Sequence, residues 1–406
     1  MHISPCGCHS SPYFLHYNNT TSSIEMAAKT KPWFLLSVLL LAVNCMQHCV
    51  HGESQVPCLF IFGDSLSDNG NNNNLLTTAK SNYVPYGIDF PKGPTGRFTD
   101  GKTSIDFISE YLGFAESSIP PYANTGGSDI LKGVNYASGA AGIRPETGKL
   151  GELNFNAHGA NIHLGAQMKN HKDIYSKIAD KLGDSEKAKQ YLNKCLYYLN
   201  IGNNDYINNY FHPIYPTSRF YTPEQYAKVF YNFQFVFRLI SQIDVGLCLY
   251  RIGKYELHDE FGARKFVLVP AGVIGCTPNA MNTHKTNGSC VEEMNNAKSM
   301  FNDKLRSLVD QFNNKFSADS KFIFAGSTDS SIYNGFSVVN ASCCRTVAHT
   351  GCVPLLPPCQ NRTEYAFWDG FHFTEAVNQI TAIRSYNGSD PAFTYPMNIM
   401  QLVQSS

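Results

Sequence analysis

Residues 58–70 read Cys58-Leu59-Phe60-Ile61-Phe62-Gly63-Asp64-Ser65-Leu66-Ser67-Asp68-Asn69-Gly70. The run from Cys58 to Phe62 is short and apolar, with the aromatic and β-branched content that is typical of a buried parallel strand. Small and polar residues follow at once, so the strand ends close to Gly63. Ligands of open α/β sheets bind beyond the carboxyl ends of the strands, and Ser65 therefore lies where a site is expected.

The segments beyond this strand predict an α/β fold. Apolar runs of similar length recur at residues 134–137, 196–201, 266–269 and 322–324. Longer segments with apolar residues at helical spacing lie between them, chiefly 226–261 and 294–316. Strands that alternate with helices predict βαβ units, and hence a doubly wound, five-stranded parallel sheet with helices on both faces.

Composition restricts the domain organisation and the class of partner. The 406 residues could form two domains, but residues 53–406 contain no linker rich in proline and glycine, which favours a single domain. Lysine and arginine together number 32, as do aspartate and glutamate. Without a net positive charge there is no strong field to attract nucleic acid, so a nucleic-acid partner is disfavoured.

The N-terminal region has the pattern of a secretion signal. Lys29 and Lys31 precede an apolar run from Trp33 to Val43, which favours a signal peptide over residues 26–52. The run is shorter than the roughly 20 apolar residues that cross a bilayer, so a membrane anchor is the weaker alternative. Residues 1–25 fit neither a signal peptide nor a domain, and we interpret them as an extension before a more usual start at Met26. The sequence thus predicts a secreted, extracellular protein.

Secretion affects how the cysteines and asparagines are interpreted. Nine of the 13 cysteines lie beyond residue 52, and thiols in an oxidising compartment usually pair, which leaves at least one over. We expect local disulfides between Cys276 and Cys290 and among the four cysteines of 343–359. A zinc site is disfavoured because no histidines lie at suitable spacing. N-glycosylation sequons occur at Asn287, Asn340, Asn361 and Asn387.

Ser65 needs a base, because a serine hydroxyl is a weak nucleophile until its proton is removed. The segment Asp369-Gly370-Phe371-His372 offers one, since a carboxylate beside an imidazole sets its tautomer and stabilises its charged form. We therefore predict Ser65 as the nucleophile, His372 as the general base and Asp369 as the residue that orients it. Taken separately, Ser65 could merely cap a helix and His372 could be a structural histidine.

Acyl transfer also requires hydrogen-bond donors for the oxyanion that develops on the substrate. Residues 135–142, Asn-Tyr-Ala-Ser-Gly-Ala-Ala-Gly, follow the second predicted strand, and their small side chains let backbone amides approach a ligand. Residues 201–205, Ile-Gly-Asn-Asn-Asp, follow the third and offer an asparagine amide. Either segment alone would indicate an ordinary turn. Together with Ser65, Asp369 and His372 they form the set that one catalytic crevice requires.

In these four segments the chain resembles the plant GDSL esterase/lipase family, also called SGNH hydrolases after four sequence blocks. The resemblance covers nearly everything from about residue 57 onward. It implies the SGNH hydrolase fold, a flavodoxin-like three-layer α/β/α sandwich. It further implies a carboxylic ester hydrolase that forms an acyl-enzyme and needs neither a metal nor an organic cofactor. The oxyanion hole that it implies combines the Ser65 amide, the Gly139 amide and the Asn204 side chain, with Ala140 or Gly142 as alternatives to Gly139.

The chain departs from the family pattern at one position. The resemblance also leaves open which ester is the substrate and whether the acyl group is transferred to water. Plant members usually carry proline after the histidine of the last block, whereas this chain has Phe373, a change that bears on the edge of the pocket. Segments 97–101 and 269–278 also resemble plant members. The natural ester is not implied. The alternatives are an acyltransferase that uses the same acyl-enzyme and a non-catalytic secreted binding glycoprotein.

Overall fold

The computed structural model describes residues 54–149, 159–232, 261–317, 320–347 and 350–405. The predicted extension 1–25, the predicted signal peptide 26–52 and most of the helix predicted over 226–261 lie outside the described residues. The strands are β1 (Leu59–Gly63), β2 (Leu196–Asn200), β3 (Lys265–Leu268), β4 (Lys321–Ala325), β5 (Val338–Ser342), β6 (Tyr365–Phe367) and β7 (Thr394–Tyr395).

The α-helices of the described residues are α1 (Ser104–Tyr111), α2 (Leu164–Leu182), α3 (Ser185–Leu192), α4 (Asn203–Asp205), α5 (Thr217–Phe220), α6 (Pro223–Asn232), α7 (Pro278–Thr283), α8 (Glu292–Lys315), α9 (Glu375–Asn387) and α10 (Ile399–Gln404). Thr103 begins α1 with a capping box, in which its hydroxyl accepts from the Asp106 amide. The helix predicted over 294–316 is α8. Its buried residues Phe301, Leu308 and Phe312 recur at the predicted helical spacing.

The main sheet has the strand order β1-β2-β3-β4-β7. The first four strands are parallel, with Leu59 opposite Leu196, Leu196 opposite Lys265, and Lys265 opposite Lys321. β7 pairs antiparallel with β4, and β5 and β6 form a separate two-stranded sheet. The predicted α/β fold with a five-stranded sheet is confirmed. The sequence predicted a wholly parallel sheet. The observed sheet is only mainly parallel, because its fifth strand, β7, runs antiparallel to β4.

Helices cover both faces of the sheet because successive strand residues point to opposite sides and both sets are apolar. Phe60 and Phe266 contribute to a core on one face, where residues of α2, α3 and α8 pack against them. Ile61 and Val267 contribute to the core on the other face, together with residues of α1, α9 and α10. The result is the predicted three-layer α/β/α arrangement.

Residues 134–137, predicted to be a strand, form an irregular edge beside β1. Ile61 N donates to Val134 O at 3.1 Å, and Tyr136 N donates to Ile61 O at 2.7 Å, so the segment runs parallel to β1. Regular pairing is interrupted because the Asn135 side chain accepts from Ala137 N at 2.9 Å and also donates to the loop after β1. The fifth strand is instead β7, whose two residues are too few to produce a periodic pattern.

Among the described residues, four disulfides join eight cysteines: Cys58–Cys195, Cys276–Cys290, Cys343–Cys359 and Cys344–Cys352. The local pairs expected in the two loops are confirmed. Cys58–Cys195 connects the residues that precede β1 and β2, so it fastens the starts of two neighbouring strands. Cys248 lies outside the described residues.

One surface property bears on the predicted location of the protein. The four sequon asparagines are all exposed, as glycosylation acceptors must be: Asn287, Asn340, Asn361 and Asn387. No helix among the described residues combines the length and apolar character that crossing a bilayer would require.

Candidate active site

Ser65 lies in a tight turn directly after β1. Asp64 N donates to Asn200 O at 3.1 Å, and Asp64 Oδ1 accepts from Leu66 N at 3.0 Å. A Cβ atom on Gly63 would lie 2.8 Å from Asn200 O, so glycine is what allows β1 and β2 to approach this closely at their ends. Because no helix follows the turn before α1, the alternative that Ser65 caps a helix is excluded.

In the structure, hydrogen bonds link Ser65 to His372 and His372 to Asp369. Ser65 Oγ lies 2.7 Å from His372 Nε2, although the two residues are 307 positions apart in the chain. His372 Nδ1 lies 2.8 Å from both carboxylate oxygens of Asp369. Asp369 is fully buried, whereas Ser65 and His372 retain some exposure and all three border the same cavity.

A short turn explains the spacing of Asp369 and His372. Asp369 Oδ1 accepts from the backbone N–H groups of Phe371 and His372, each at 2.8 Å, and Trp368 N donates to His372 O at 2.8 Å. The carboxylate is thus held over its own turn, where it faces the imidazole. The Phe98 ring packs on the imidazole, with the ring centroids 4.9 Å apart.

Tyr86 is a site residue that the sequence did not indicate. Its hydroxyl donates to Asp369 Oδ2 at 2.6 Å and accepts from Cys352 N at 3.2 Å. Burial by itself would raise the pKa of the Asp369 carboxyl, but the charge and hydrogen bonds of His372, the Tyr86 hydroxyl and the Phe371 amide outweigh it and hold the pKa below its ordinary value. The carboxylate is therefore ionised and has donors on both oxygens.

Asn204 follows β2 and faces the same cavity as Ser65. Its Nδ2 donates to Ala141 O at 3.0 Å, and its Oδ1 accepts from Asn208 Nδ2 at 2.7 Å. These bonds set the orientation of the amide and use one of its two N–H hydrogens. The second hydrogen has no acceptor among the described residues.

The Gly139 amide is engaged in a hydrogen bond away from the cavity. Gly139 N donates to Asp68 Oδ2 at 2.9 Å, and neither Gly139 nor Gly142 borders the cavity. Ala140 does border it, with a φ of 61° that is unusual for a residue with a side chain. In the part of the chain that the structure describes, the N–H groups of Ala140 and Ser65 have no hydrogen-bond acceptor.

The cavity beside Ser65 has a volume of about 490 Å³ and mainly apolar walls. This size is within the range of small-molecule sites. Its apolar lining residues include Leu66, Phe98, Ile207, Val273, Phe371 and Phe373. Within the described ranges, no three His, Cys, Asp or Glu side chains are grouped as a metal site would require.

Comparisons with known proteins place the chain among its relatives. A family model described as GDSL-like Lipase/Acylhydrolase matches residues 59–384. The Arabidopsis thaliana protein GDSL esterase/lipase At1g29670 is 46% identical to the chain, over 92% of this chain and 98% of the relative. GDSL esterase/lipase At1g29660 from the same plant is 44% identical, over 93% and 100%.

The chain belongs to the GDSL lipase/acylhydrolase family. It is accordingly a carboxylic ester hydrolase, and its α/β fold is the fold of that family.

Two polar residues of the asparagine run 71–74 stabilise the site of this GDSL hydrolase. An asparagine run after a glycine is typical of a loop, and residues 71–74 do form a turn. Asn71 Nδ2 donates to Asn135 O at 2.9 Å, and Asn72 Nδ2 donates to Gly139 O at 3.0 Å. Both asparagines are buried, so they hold segment 135–142 against the turn that carries Ser65. The repeated asparagines after a glycine were visible in the sequence. That pattern does not distinguish an exposed loop from buried side chains that hydrogen-bond to a neighbouring segment.

Phe373, the departure from the pattern of plant GDSL members, is part of the cavity wall. It pairs with Phe367 in an antiparallel bridge, and their ring centroids are 5.4 Å apart. Thr99, from the family-like segment 97–101, donates through its hydroxyl to Phe373 O at 2.9 Å. The substitution therefore adds an aromatic surface to the pocket and leaves the His372 turn intact.

Proposed function

We propose that the protein is a secreted serine esterase whose Ser65, His372 and Asp369 form a catalytic triad that works through an acyl-enzyme. The observation that carries the proposal is the row of hydrogen bonds from Ser65 Oγ through the His372 ring to Asp369. Nε2 faces the hydroxyl and Nδ1 faces the ionised carboxylate, which is the arrangement that a general base needs.

In the first half of the proposed reaction, Ser65 Oγ attacks the ester carbonyl while His372 Nε2 takes its proton. The negative charge on the carbonyl oxygen receives hydrogen bonds from the Ser65 amide, the Ala140 amide and the Asn204 side chain. We propose Ala140 in place of Gly139 because the Gly139 amide already donates to Asp68. The C–O bond then breaks as His372 returns the proton to the departing alcohol.

In the second half, water enters the position that the alcohol has left. His372 takes a proton from that water, which attacks the acyl-enzyme, and the same three donors stabilise the second oxyanion. His372 then protonates Ser65 Oγ as the carboxylic acid leaves. Asp369 stays ionised throughout and stabilises the charged imidazole in both halves.

We propose a single catalytic domain over residues 53–406, and several observations support its secretion. Four disulfides are characteristic of an oxidising compartment, and the four exposed sequons could carry glycans there. The segment proposed as a signal peptide, 26–52, precedes all of them in the chain. The substrates that we propose are esters with an apolar acyl group, because the walls of the cavity are mainly apolar.

The test is hydrolysis of p-nitrophenyl butyrate by the secreted protein and by its Ser65→Ala variant. We expect kcat to fall by about 10³-fold or more, since triad serines contribute this much in other serine hydrolases. Ser67→Ala is the matched control, because Ser67 is a buried serine of the same turn whose hydroxyl contacts Asn200 rather than His372. It should retain most of the activity.

A fluorophosphonate probe provides a second measurement that does not depend on the choice of ester. We expect it to label the wild type and Ser67→Ala but not Ser65→Ala. Equal hydrolysis by wild type and Ser65→Ala would eliminate Ser65 as the nucleophile. Absence of both hydrolysis and labelling in a folded protein would favour the non-catalytic binding glycoprotein.

A further inference from the structure

Negative and positive side chains are distributed differently around the catalytic cavity. The segments that form or border its walls are 64–66, 78–86, 203–208, 272–277, 345–354 and 369–373. Their carboxylates are those of Asp64, Asp205 and Asp369, and all three are fully buried. Each of them accepts hydrogen bonds from backbone N–H groups. The acidic side chains of these segments are therefore satisfied by the protein itself and do not face solvent.

The basic side chains of the same segments do reach solvent. Lys80 lines the cavity and is half-buried, and Arg345 is exposed. Arg345 O accepts from Val353 N at 2.7 Å, and Val353 lines the cavity, so Arg345 lies at the rim. Neither cation has an ion-pair partner among the described residues. Because apolar walls focus the field of such charges, the cavity attracts anions.

Hydrogen bonds of a buried asparagine fix the position from which Lys80 extends. Asn72 Nδ2 donates to Ala79 O at 2.9 Å and to Gly139 O at 3.0 Å. One buried side chain thus joins the residue before Lys80 to the residue before Ala140. Lys80 is therefore held beside the segment that supplies the proposed backbone oxyanion donor.

The same contacts relate Lys80 to the side of the cavity from which the alcohol departs. A Cβ atom on Gly139 would lie 2.7 Å from Asn72 Nδ2 and 2.6 Å from the Phe98 ring. That ring packs on the His372 imidazole, so these groups are close neighbours. In the proposed reaction His372 returns its proton to the departing alcohol, and the alcohol portion of the ester therefore lies on this side.

We propose that the substrates are apolar acyl esters of hydroxycarboxylic acids, and that Lys80 binds the carboxylate of the alcohol portion. A single half-buried lysine matches the one charge of a carboxylate better than the nearly two charges of a phosphate monoester. Hydrolysis breaks the acyl C–O bond, gives the hydroxyl of water to the acyl carbon and its proton to the alcohol oxygen, and so releases the hydroxy acid. This inference rests on the proposed esterase function, because it names the substrate class of the same site.

Two esters that differ only in charge test the inference, 4-butanoyloxybenzoate and the neutral 4-butanoyloxybenzamide. For Lys80→Gln we expect KM of the benzoate to rise by about tenfold with little change in kcat, since a partly exposed charge pair is lost from substrate binding. KM of the benzamide should change by less than about twofold. Lys92→Gln is the matched control, because Lys92 is exposed and does not line the cavity. Lys80→Arg should keep the preference for the benzoate.

Added salt should raise KM of the benzoate for the wild type and leave it unchanged for Lys80→Gln, because salt screens the ion pair. The proposal is overturned if the wild type has equal KM values for the two esters, or if Lys80→Gln and Lys92→Gln have equal effects. If the wild type hydrolyses neither these esters nor p-nitrophenyl butyrate, the esterase proposal fails. Equilibrium dialysis of 4-hydroxybenzoate with Ser65→Ala then tests the anion site alone: weaker binding after Lys80→Gln supports the site, and unchanged binding overturns it.

Discussion

The Tyr86 hydroxyl donates a hydrogen bond of 2.6 Å to Asp369 Oδ2, and both groups are buried. The same hydroxyl accepts from Cys352 N, a residue of the disulfide-bonded loop. Tyr86 therefore connects that loop to the carboxylate that faces His372. A hydrogen bond to a charged group inside a protein is stronger than one at the surface, so the orientation of Asp369 depends on Tyr86.

Tyr86→Phe should lower kcat for p-nitrophenyl butyrate by about tenfold, because a hydrogen bond to a charged group is worth about 1.5–3 kcal/mol and only part of that is lost from the transition state. Tyr83→Phe is the matched control, since the Tyr83 hydroxyl donates to Cys352 O at 2.9 Å and not to Asp369. We expect the control to change kcat by less than about twofold. Equal losses of kcat in the two variants would show that contacts with the disulfide-bonded loop, rather than the hydrogen bond to Asp369, determine the rate.

Asn204→Ala should lower kcat by about 10²–10³-fold with a smaller change in KM, because an oxyanion donor acts mainly in the transition state. Asn203→Ala is the comparison, since Asn203 accepts from Gly272 N at 2.9 Å and its amide approaches the buried Asp64 carboxylate. Its loss should reduce stability more than kcat. A larger fall in kcat for Asn203→Ala than for Asn204→Ala would contradict the assignment of the side-chain donor to Asn204.

Ala140→Gly should raise the free energy of unfolding by about 0.5 kcal/mol. The left-handed conformation costs an alanine about 1–2 kcal/mol, and the greater entropy of unfolded glycine offsets about 0.4–1 kcal/mol of that gain. Ala141→Gly is the control, because Ala141 is fully buried and has no positive φ. It should lower the free energy of unfolding by about 1 kcal/mol. Urea denaturation of the three proteins checks the sign, and destabilisation by both substitutions would exclude strain at Ala140.

His171 predicts a specific dependence of stability on pH. Its Nδ1 lies 3.0 Å from the Tyr136 hydroxyl, and burial among aromatic rings lowers its pKa to about 3. An unfolded histidine has a pKa of about 6.5. Between these values the unfolded chain binds a proton that the folded protein does not, so stability falls as the pH falls, by up to about 1.4 kcal/mol per pH unit.

His171→Phe removes the imidazole that binds this proton in the unfolded chain. The phenyl ring suits the aromatic surroundings, which include Phe60 and Phe62. From pH 6 to pH 4.5 the wild type should lose about 2 kcal/mol more of its free energy of unfolding than the variant does. All other titrating groups are shared, so they cancel in the comparison. Urea denaturation at both pH values measures the difference, and parallel losses in the two proteins would mean that His171 is protonated in the folded state.

The parts of the fold and candidate site that could be predicted are those with a local signal. β1 and the turn at Ser65 follow from an apolar run that ends in small and polar residues. Helix α8 follows from the periodicity of its apolar residues. The disulfide Cys276–Cys290 follows from the short separation of its two cysteines in the chain. Each pattern reflects interactions between residues that are near in sequence, or burial on one face, which periodicity records.

The sequence by itself determined the α/β class, the three layers and the residue types of the candidate site, Ser65, His372, Asp369 and Asn204, since local patterns and motif spacing record these. Only the tertiary structure decided that the fifth strand is β7 and that the Gly139 amide is engaged by Asp68. Only it connected Tyr86 to Asp369, 283 positions away, and Leu355 to Val84. The physical reason is that the direction of one N–H or hydroxyl depends on which distant groups pack around it, and no local pattern carries that information.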